Sequence, residues 1–247
     1  MRHAGGLRID HVMALQHLYW IPQGSSPAEG AYVAYPMEDL IGILALESER
    51  HQCLVVGEDL GTVPEGFRER MEAANILSYR VLFFEQDEDG AFVPPDAYPR
   101  PALAVAGSHD LPTLRGWWDG SDIDLKARLG RFPDPADAVN QRERRVQDKA
   151  RLLEALVAQE LVEESADEIS AERFVEVAHA YLSRSAAALA IVQLDDMTGE
   201  LDPVNVPSTS TEHPNWRRKY RLALEELAAD PLATRLAEIM QDRTGGR

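Results

Sequence analysis

Five short apolar runs, separated by helix-patterned stretches, constrain this chain more than any other feature. The runs are Leu7–Asp10, Cys53–Gly57, Tyr79–Glu85, Ala102–Ala106 and Ala186–Leu194. Between the first two, Met37–Gln52 repeats Leu40, Ile41, Leu44 and Leu46 at helical spacing, opened by Pro36. Pro64–Ala74 reads as the next helix, Asp134–Leu161 as a long charged amphipathic one, and Ala171–Ser183 as another. A loop, Asp195–Asn215, then leads to two helices at about Trp216–Ala229 and Pro231–Asp242. Strands alternating with helices predict βα units and a parallel sheet. A closed eight-stranded barrel takes about 250 residues when compact. This chain has 247 and spends many of them between the fourth and fifth runs, so the pattern predicts only part of a barrel.

Three of the runs end on acidic residues: Leu7-Arg8-Ile9-Asp10-His11, Val55-Val56-Gly57-Glu58-Asp59 and Ala106-Gly107-Ser108-His109-Asp110. Parallel barrels carry their chemistry at the C-terminal ends of their strands, and converging carboxylates there are the machinery of glycosidic bond chemistry. Alone, Asp10 reads as a solvated residue capping a turn. Arg8 shifts that reading, because residues two apart on a strand share a side and Arg8 can hold Asp10 ionised. Glu58 and Asp59 compete for the second role. Alternation puts them on opposite sides, and the longer Glu58 side chain is preferred because it can reach a leaving oxygen. Gly57 is expected to allow a substrate or another strand to come close. Asp110 has a competing reading as N-cap of a helix through Trp117. The Gln86–Pro101 loop is longer than most connections, which marks it as a functional candidate.

Other chemistries fit poorly. His11 and His109 lie far apart with no cysteine partner, unlike a zinc site. Ser108-His109-Asp110 is contiguous, whereas hydrolytic triads are assembled across a fold. Gly57–Gly61 lacks the lysine and spacing of a phosphate loop. His3, His17, His51, His179 and His213 read as surface or packing residues. The formal net charge of −17 repels phosphate backbones, which argues against nucleic acid and suits a neutral substrate. No apolar run approaches the roughly 18 residues of a membrane span, so no membrane partner is expected. The lone Cys53 and the absence of a leader-like apolar start lead to a cytoplasmic expectation.

Five segments together resemble the 4-alpha-glucanotransferases, the amylomaltase or disproportionating enzymes of the α-amylase superfamily. They are Leu7-Arg8-Ile9-Asp10-His11-Val12-Met13, Tyr19-Trp20-Ile21-Pro22, Val56-Gly57-Glu58-Asp59-Leu60-Gly61-Thr62-Val63, His109-Asp110, and Asn205-Val206-Pro207 with Pro214-Asn215-Trp216-Arg217. They occur in family order along nearly the whole chain. The resemblance implies an α/β fold of the (β/α)8 TIM-barrel type, here incomplete, with about strands 4–8 and long helical C-terminal insertions. Residues 1–247 would then be the C-terminal portion of one catalytic domain whose first strands are missing.

The same resemblance implies a retaining double displacement on malto-oligosaccharides and 1,4-alpha-glucans, without cofactor or metal. Asp10 would be the nucleophile, Glu58 the acid and base, and Asp110 the group that grips the distorted sugar. Arg8, His11 and His109 would position nucleophile and sugar, and Trp20 and Asn205 match substrate-contacting positions. Trp117 and Trp118 are candidates for stacking on an acceptor sugar, with core packing as the competing reading. One departure stands out: Ser208 replaces the glycine of the family's Asn-x-Pro-Gly pattern. Two alternatives stay open, a hydrolase of the same superfamily and an inactive glucan-binding fragment. An N-terminal barrel half on another polypeptide is the expected protein partner.

Overall fold

The computed structural model describes residues 1–163 and 168–245. Its elements are β1 (Gly6–Ile9), β2 (His17–Trp20), β3 (Ala31–Ala34), α1 (Met37–His51), β4 (Leu54–Gly57), α2 (Phe67–Ala73), β5 (Leu77–Val81), β6 (Ala102–Val105), α3 (Leu114–Asp119), α4 (Ser121–Arg128), α5 (Pro135–Ala158), α6 (Ala171–Ser183), β7 (Leu189–Ile191), α7 (Leu194–Met197), α8 (Leu224–Leu227) and α9 (Pro231–Gly245), with short 3-10 turns between them. The main sheet has the order β1-β4-β5-β6-β7, and β1–β4 and β4–β5 pair in parallel. Each sheet strand therefore neighbours the next one in sequence, as consecutive βα units of a barrel do. The fold is the incomplete (β/α)8 type, with five such strands among the described residues. No described helix is long and apolar enough to cross a membrane.

The chain divides into two compact units, Met1–Tyr79 with Pro99–Leu103, and Arg80–Tyr98 with Ala104 onward. In the first, the apolar faces of α1, α2 and β4 close over Val12, Met13, Met37, Ile41, Val55, Phe67, Met71 and Ile76. Gly57 belongs to this packing. A Cβ there would stand 2.6 Å from Met71 Cε and 2.9 Å from Val12 Cγ2, so the close approach expected of Gly57 is that of core side chains. Asn75, at φ 53°, turns the chain sharply after α2 into β5. An antiparallel hairpin, β2–β3, between the Leu7–Asp10 run and α1, pairs His17 with Ala34 and Trp20 with Ala31.

The second unit is built on aromatic stacking and buried polar pairs. Trp118 and Phe174 stack at 4.3 Å, Trp117 lies 5.7 Å from Phe174, and the Trp118 indole N–H donates to the Ile169 carbonyl at 3.0 Å. Both tryptophans are buried, which decides for core packing over sugar stacking. Arg145 donates twice to Asp122 at 2.9 Å, caps the Trp117 carbonyl and covers the Trp117 ring. His179 is sealed from solvent; its Nδ1 meets the Val175 carbonyl at 2.9 Å, and its Nε2 faces Asp196 Oδ2 at 3.7 Å. Neither of those facing atoms has a hydrogen bond to a described residue.

Several expected elements are shorter or displaced. The Tyr79–Glu85 strand is found at Leu77–Val81, and the chain then coils through Leu82–Phe84, with Arg80 reaching back to Glu85 at 3.6 Å. The Ala186–Leu194 run keeps three strand residues, because the Ala186 N–H goes to the Pro95 carbonyl and Leu194 opens α7. The helix expected over Trp216–Ala229 shrinks to α8. Trp216 has φ 61° and donates its N–H to Val204, while the Arg218 and Arg221 side chains are drawn to Asp195, Glu200 and the Thr198 carbonyl. The long Gln86–Pro101 loop is pinned as packing, with Tyr181 Oη donating to the Val93 carbonyl at 2.8 Å and Tyr98 buried.

Candidate active site

In the first unit, the parallel register aligns Ile9 with Gly57, so the residues that follow β1 and β4 emerge side by side. The main chain extends this lock past the strands: the Glu58 N–H donates to the Ile9 carbonyl, and the Val12 N–H to the Glu58 carbonyl, both at 2.9 Å. Asp10 projects outward, its side chain largely exposed, and Arg8 Nη1 holds its Oδ1 at 2.8 Å. The same guanidinium lies 4.8 Å from the centre of the Tyr79 ring. The expected Arg8–Asp10 pairing is therefore present.

Glu58 is buried, and its carboxylate is held by the backbone. His11 N–H donates to Oε2 at 2.7 Å and Leu60 N–H to Oε1 at 2.8 Å. His11 presents that N–H because it sits in the left-handed region, φ 46° and ψ 59°, a conformation non-glycine residues adopt at some cost. A carboxylate has about four lone-pair sites, so a site for a proton remains on each Glu58 oxygen. Asp59 is buried and has different partners. Its Oδ2 takes Arg68 Nε at 2.7 Å, and its Oδ1 takes the Tyr79 N–H at 2.9 Å. Asp59 thus ties β4 to β5 and α2, while Glu58 takes backbone donors from the loops that follow β1 and β4.

Tyr79 was not singled out in the sequence, although alternation along β5 would have pointed it to this side. Burial pushes its phenol pKa up, the Arg8 charge opposes that shift, and the Glu58 charge adds to it. Trp20 stands apart on the hairpin, more than half exposed, with its indole N–H donating to Tyr35 Oη at 3.0 Å.

In the second unit, Asp110 follows β6 and is gripped from two sides. Asn205 Nδ2 donates to its Oδ1 at 2.6 Å, and His109 Nε2 lies 3.4 Å from its Oδ2. The N-cap reading of Asp110 fails, since Thr113 caps α3 through the Gly116 N–H at 3.0 Å. Asp110 is left free of the helix. Trp216 also joins this group, its ring 5.4 Å from that of His109. Its loop is braced by Asn215, which accepts from the Val206 N–H at 2.9 Å and donates to Thr209 Oγ1 at 2.7 Å. Ser208, at the departure from the family glycine, has φ 62°. The backbone there keeps a left-handed conformation that glycine adopts freely and serine under strain.

Arg8, Asp10, His11 and Glu58 thus gather at one pair of strand ends, and His109, Asp110 and Asn205 around another strand end. A family model described as 4-alpha-glucanotransferase matches residues 1–224. A 4-alpha-glucanotransferase of Haemophilus influenzae is 39% identical over 250 residues, covering 98% of this chain and 35% of that protein. One from Mycobacterium tuberculosis is 35% identical over 254 residues, covering 99% and 35%. Among solved structures, amylomaltase from Corynebacterium glutamicum superposes with a TM-score of 0.88 at 30% identity, over 97% of this chain and 36% of that one. Amylomaltase from Streptococcus agalactiae in complex with acarbose shares the fold at a TM-score of 0.63 and 17% identity, over 96% of this chain and 41% of that one. The chain spans about a third of the length of the curated relatives it matches.

Proposed function

Since the chain belongs to the 4-alpha-glucanotransferase family, its residues 1–224 matching the family model, we propose that it carries the reacting groups for retaining exchange of 1,4-alpha-glucan segments. In the first half-reaction a carboxylate oxygen of Asp10 bonds to the anomeric carbon. The bond from that carbon to the bridging oxygen breaks, and Glu58 gives its proton to the departing oxygen. In the second, Glu58 takes the proton from the 4-hydroxyl of an acceptor glucose or glucan, whose oxygen attacks the anomeric carbon and frees Asp10. Asp110, oriented by Asn205 and His109, takes the role of gripping the sugar hydroxyls as positive charge builds at the ring. Arg8, paired with Asp10, orients the carboxylate for attack.

The observation that supports this reading best is the backbone lock between the ends of β1 and β4. Retaining chemistry needs its two carboxyl groups about 5–5.5 Å apart, and adjacent strands, with backbones about 4.8 Å apart, are compatible with that separation. The reaction belongs to the whole catalytic domain, of which we read this chain as the C-terminal portion. A polypeptide carrying the segment that precedes the match in the relatives would complete it. The test is disproportionation of maltotriose by this chain mixed with such a segment. Glucose together with longer malto-oligosaccharides is expected, and Asp10→Asn should lower the rate roughly a thousandfold or more. Glucose and maltose without longer products would replace transfer by hydrolysis. Undiminished activity of the variant would remove Asp10 from the reaction.

A further inference from the structure

The second unit contains a cavity of about 510 Å³, within the range of about 300–1,000 Å³ typical of small-ligand sites. It lies against α4 and the first half of α5, and its wall includes Leu111 and Pro112, the two residues after Asp110. The reactions proposed for Asp10, Glu58 and Asp110 make no use of it.

Its charge is balanced in a chain that is strongly acidic overall. Asp122, Asp137 and Asp148 face Lys126, Arg144 and Arg145, three charges of each sign. A phosphorylated ligand or a free cation gains no net attraction from such a lining; a neutral polar ligand loses nothing. The floor is already rigid, because Asp122 and Arg145 are spent on each other. The rim is not. The side chains of Lys126, Asn140, Gln141, Arg144 and Asp148 form no hydrogen bond or ion pair with any described residue. The four from α5 recur at spacings of one, three and four, so they share one face of the helix. Beside them stand two aromatic rings, Phe84, with 52% of its surface exposed, and the half-buried Phe132.

Uncommitted amides and charged groups next to accessible aromatic rings form the complement of a sugar, whose hydroxyls need planar donors and acceptors and whose C–H face needs an apolar plate. We propose that this cavity binds a stretch of neutral malto-oligosaccharide beyond the bond being exchanged, with Asn140 and Asp148 taking hydroxyls and Phe132 a sugar face. The proposal rests on the glucan reading above and extends it to a second recognition site beside Asp110.

Titration calorimetry of the full chain with maltoheptaose tests it. Phe132→Ala, Asn140→Ala and Asp148→Ala remove side chains that make no hydrogen bond with a described residue, and far-UV circular dichroism verifies that each variant stays folded. Each is expected to weaken maltoheptaose binding by about tenfold, the equivalent of one good contact, while maltose, too short to extend into the cavity, is affected little. Equal binding by all three variants and the parent chain would overturn the proposal. If that remaining affinity fell in Asp110→Ala, the exchange reading would still stand. Binding that depends on the cavity residues but not on Asp110 would instead support the cavity and weaken the exchange reading. Absence of saturable heat up to about 10 mM maltoheptaose, or preferential binding of inorganic phosphate, would also overturn the proposal.

Discussion

Replacing Asp196 with asparagine should convert a nearly flat dependence of stability on pH into a steep one. The Val175 carbonyl can only accept, so His179 Nδ1 carries its proton and Nε2 presents a lone pair toward Asp196 Oδ2. Burial lowers the His179 pKa to about 4, with the Val175 hydrogen bond opposing. Burial raises that of Asp196 to about 7, opposed by the Leu114 N–H and reinforced by Asp195. The folded pair therefore holds one proton between those two values, on Asp196. The unfolded pair also holds one, on the histidine, from about pH 3.9 to about 6.5.

Equal proton counts mean that the pair adds almost no slope to the parent protein's stability across that window. In Asp196→Asn the folded state binds no proton at this place, while the unfolded histidine still does. Stability then rises with pH through the window by roughly 3 kcal/mol. The variant also escapes the cost of a buried carboxylate, which the parent meets progressively as pH climbs from the unfolded to the folded Asp196 value. The difference between variant and parent should grow by roughly 4 kcal/mol from about pH 4 to about pH 7. Urea unfolding followed by tryptophan fluorescence at several pH values measures it. A difference that stays constant with pH would refute the shared-proton argument.

Two further substitutions probe backbone and burial. Arg145→Met strips the buried Asp122 of both its donors and the Trp117 carbonyl of its cap. We expect a loss of roughly 3–5 kcal/mol, seen as a lowered thermal midpoint; an unchanged midpoint would show that Asp122 finds other partners. Ser208→Gly places glycine at φ 62° and should stabilise the chain by about 1 kcal/mol. A loss of stability would mean that the serine side chain contributes more than its backbone strain costs.

What the sequence disclosed follows from how local each signal is. Arg8 and Asp10 were readable because a strand places residues two apart on one side, and nothing distant is needed. The helix of α5 was readable from its charged amphipathic pattern, with Arg and Glu interleaved at Arg142, Glu143, Arg144 and Arg145, and Asp134 and Pro135 cap and start it. The Asp110 cap was misread because Thr113, three residues on, has both the extended backbone and the hydroxyl that a cap needs. Trp117 and Trp118 could be placed in the core only once Phe174, far along the chain, was seen against them. The Trp216–Ala229 helix failed for a related reason: its arginines find carboxylates and carbonyls between Asp195 and Glu200, a preference no helical periodicity reveals.

The backbone bonds between the ends of β1 and β4 have a consequence for variation. Glu58 is held through its own N–H and carbonyl and through the N–H groups of His11 and Leu60, none of which depends on a neighbouring side chain. The spacing of the two acids is thus insulated from most drift in the residues around them. Under the proposed exchange reaction, substitutions nearby would change the surroundings of the two acids while the backbone bonds keep Glu58 in place. A single inserted or deleted residue between Leu7 and Val12, or between Val55 and Leu60, would shift one acid along its strand and separate the pair. Diversity in this region should therefore be sought through substitution, with length held fixed.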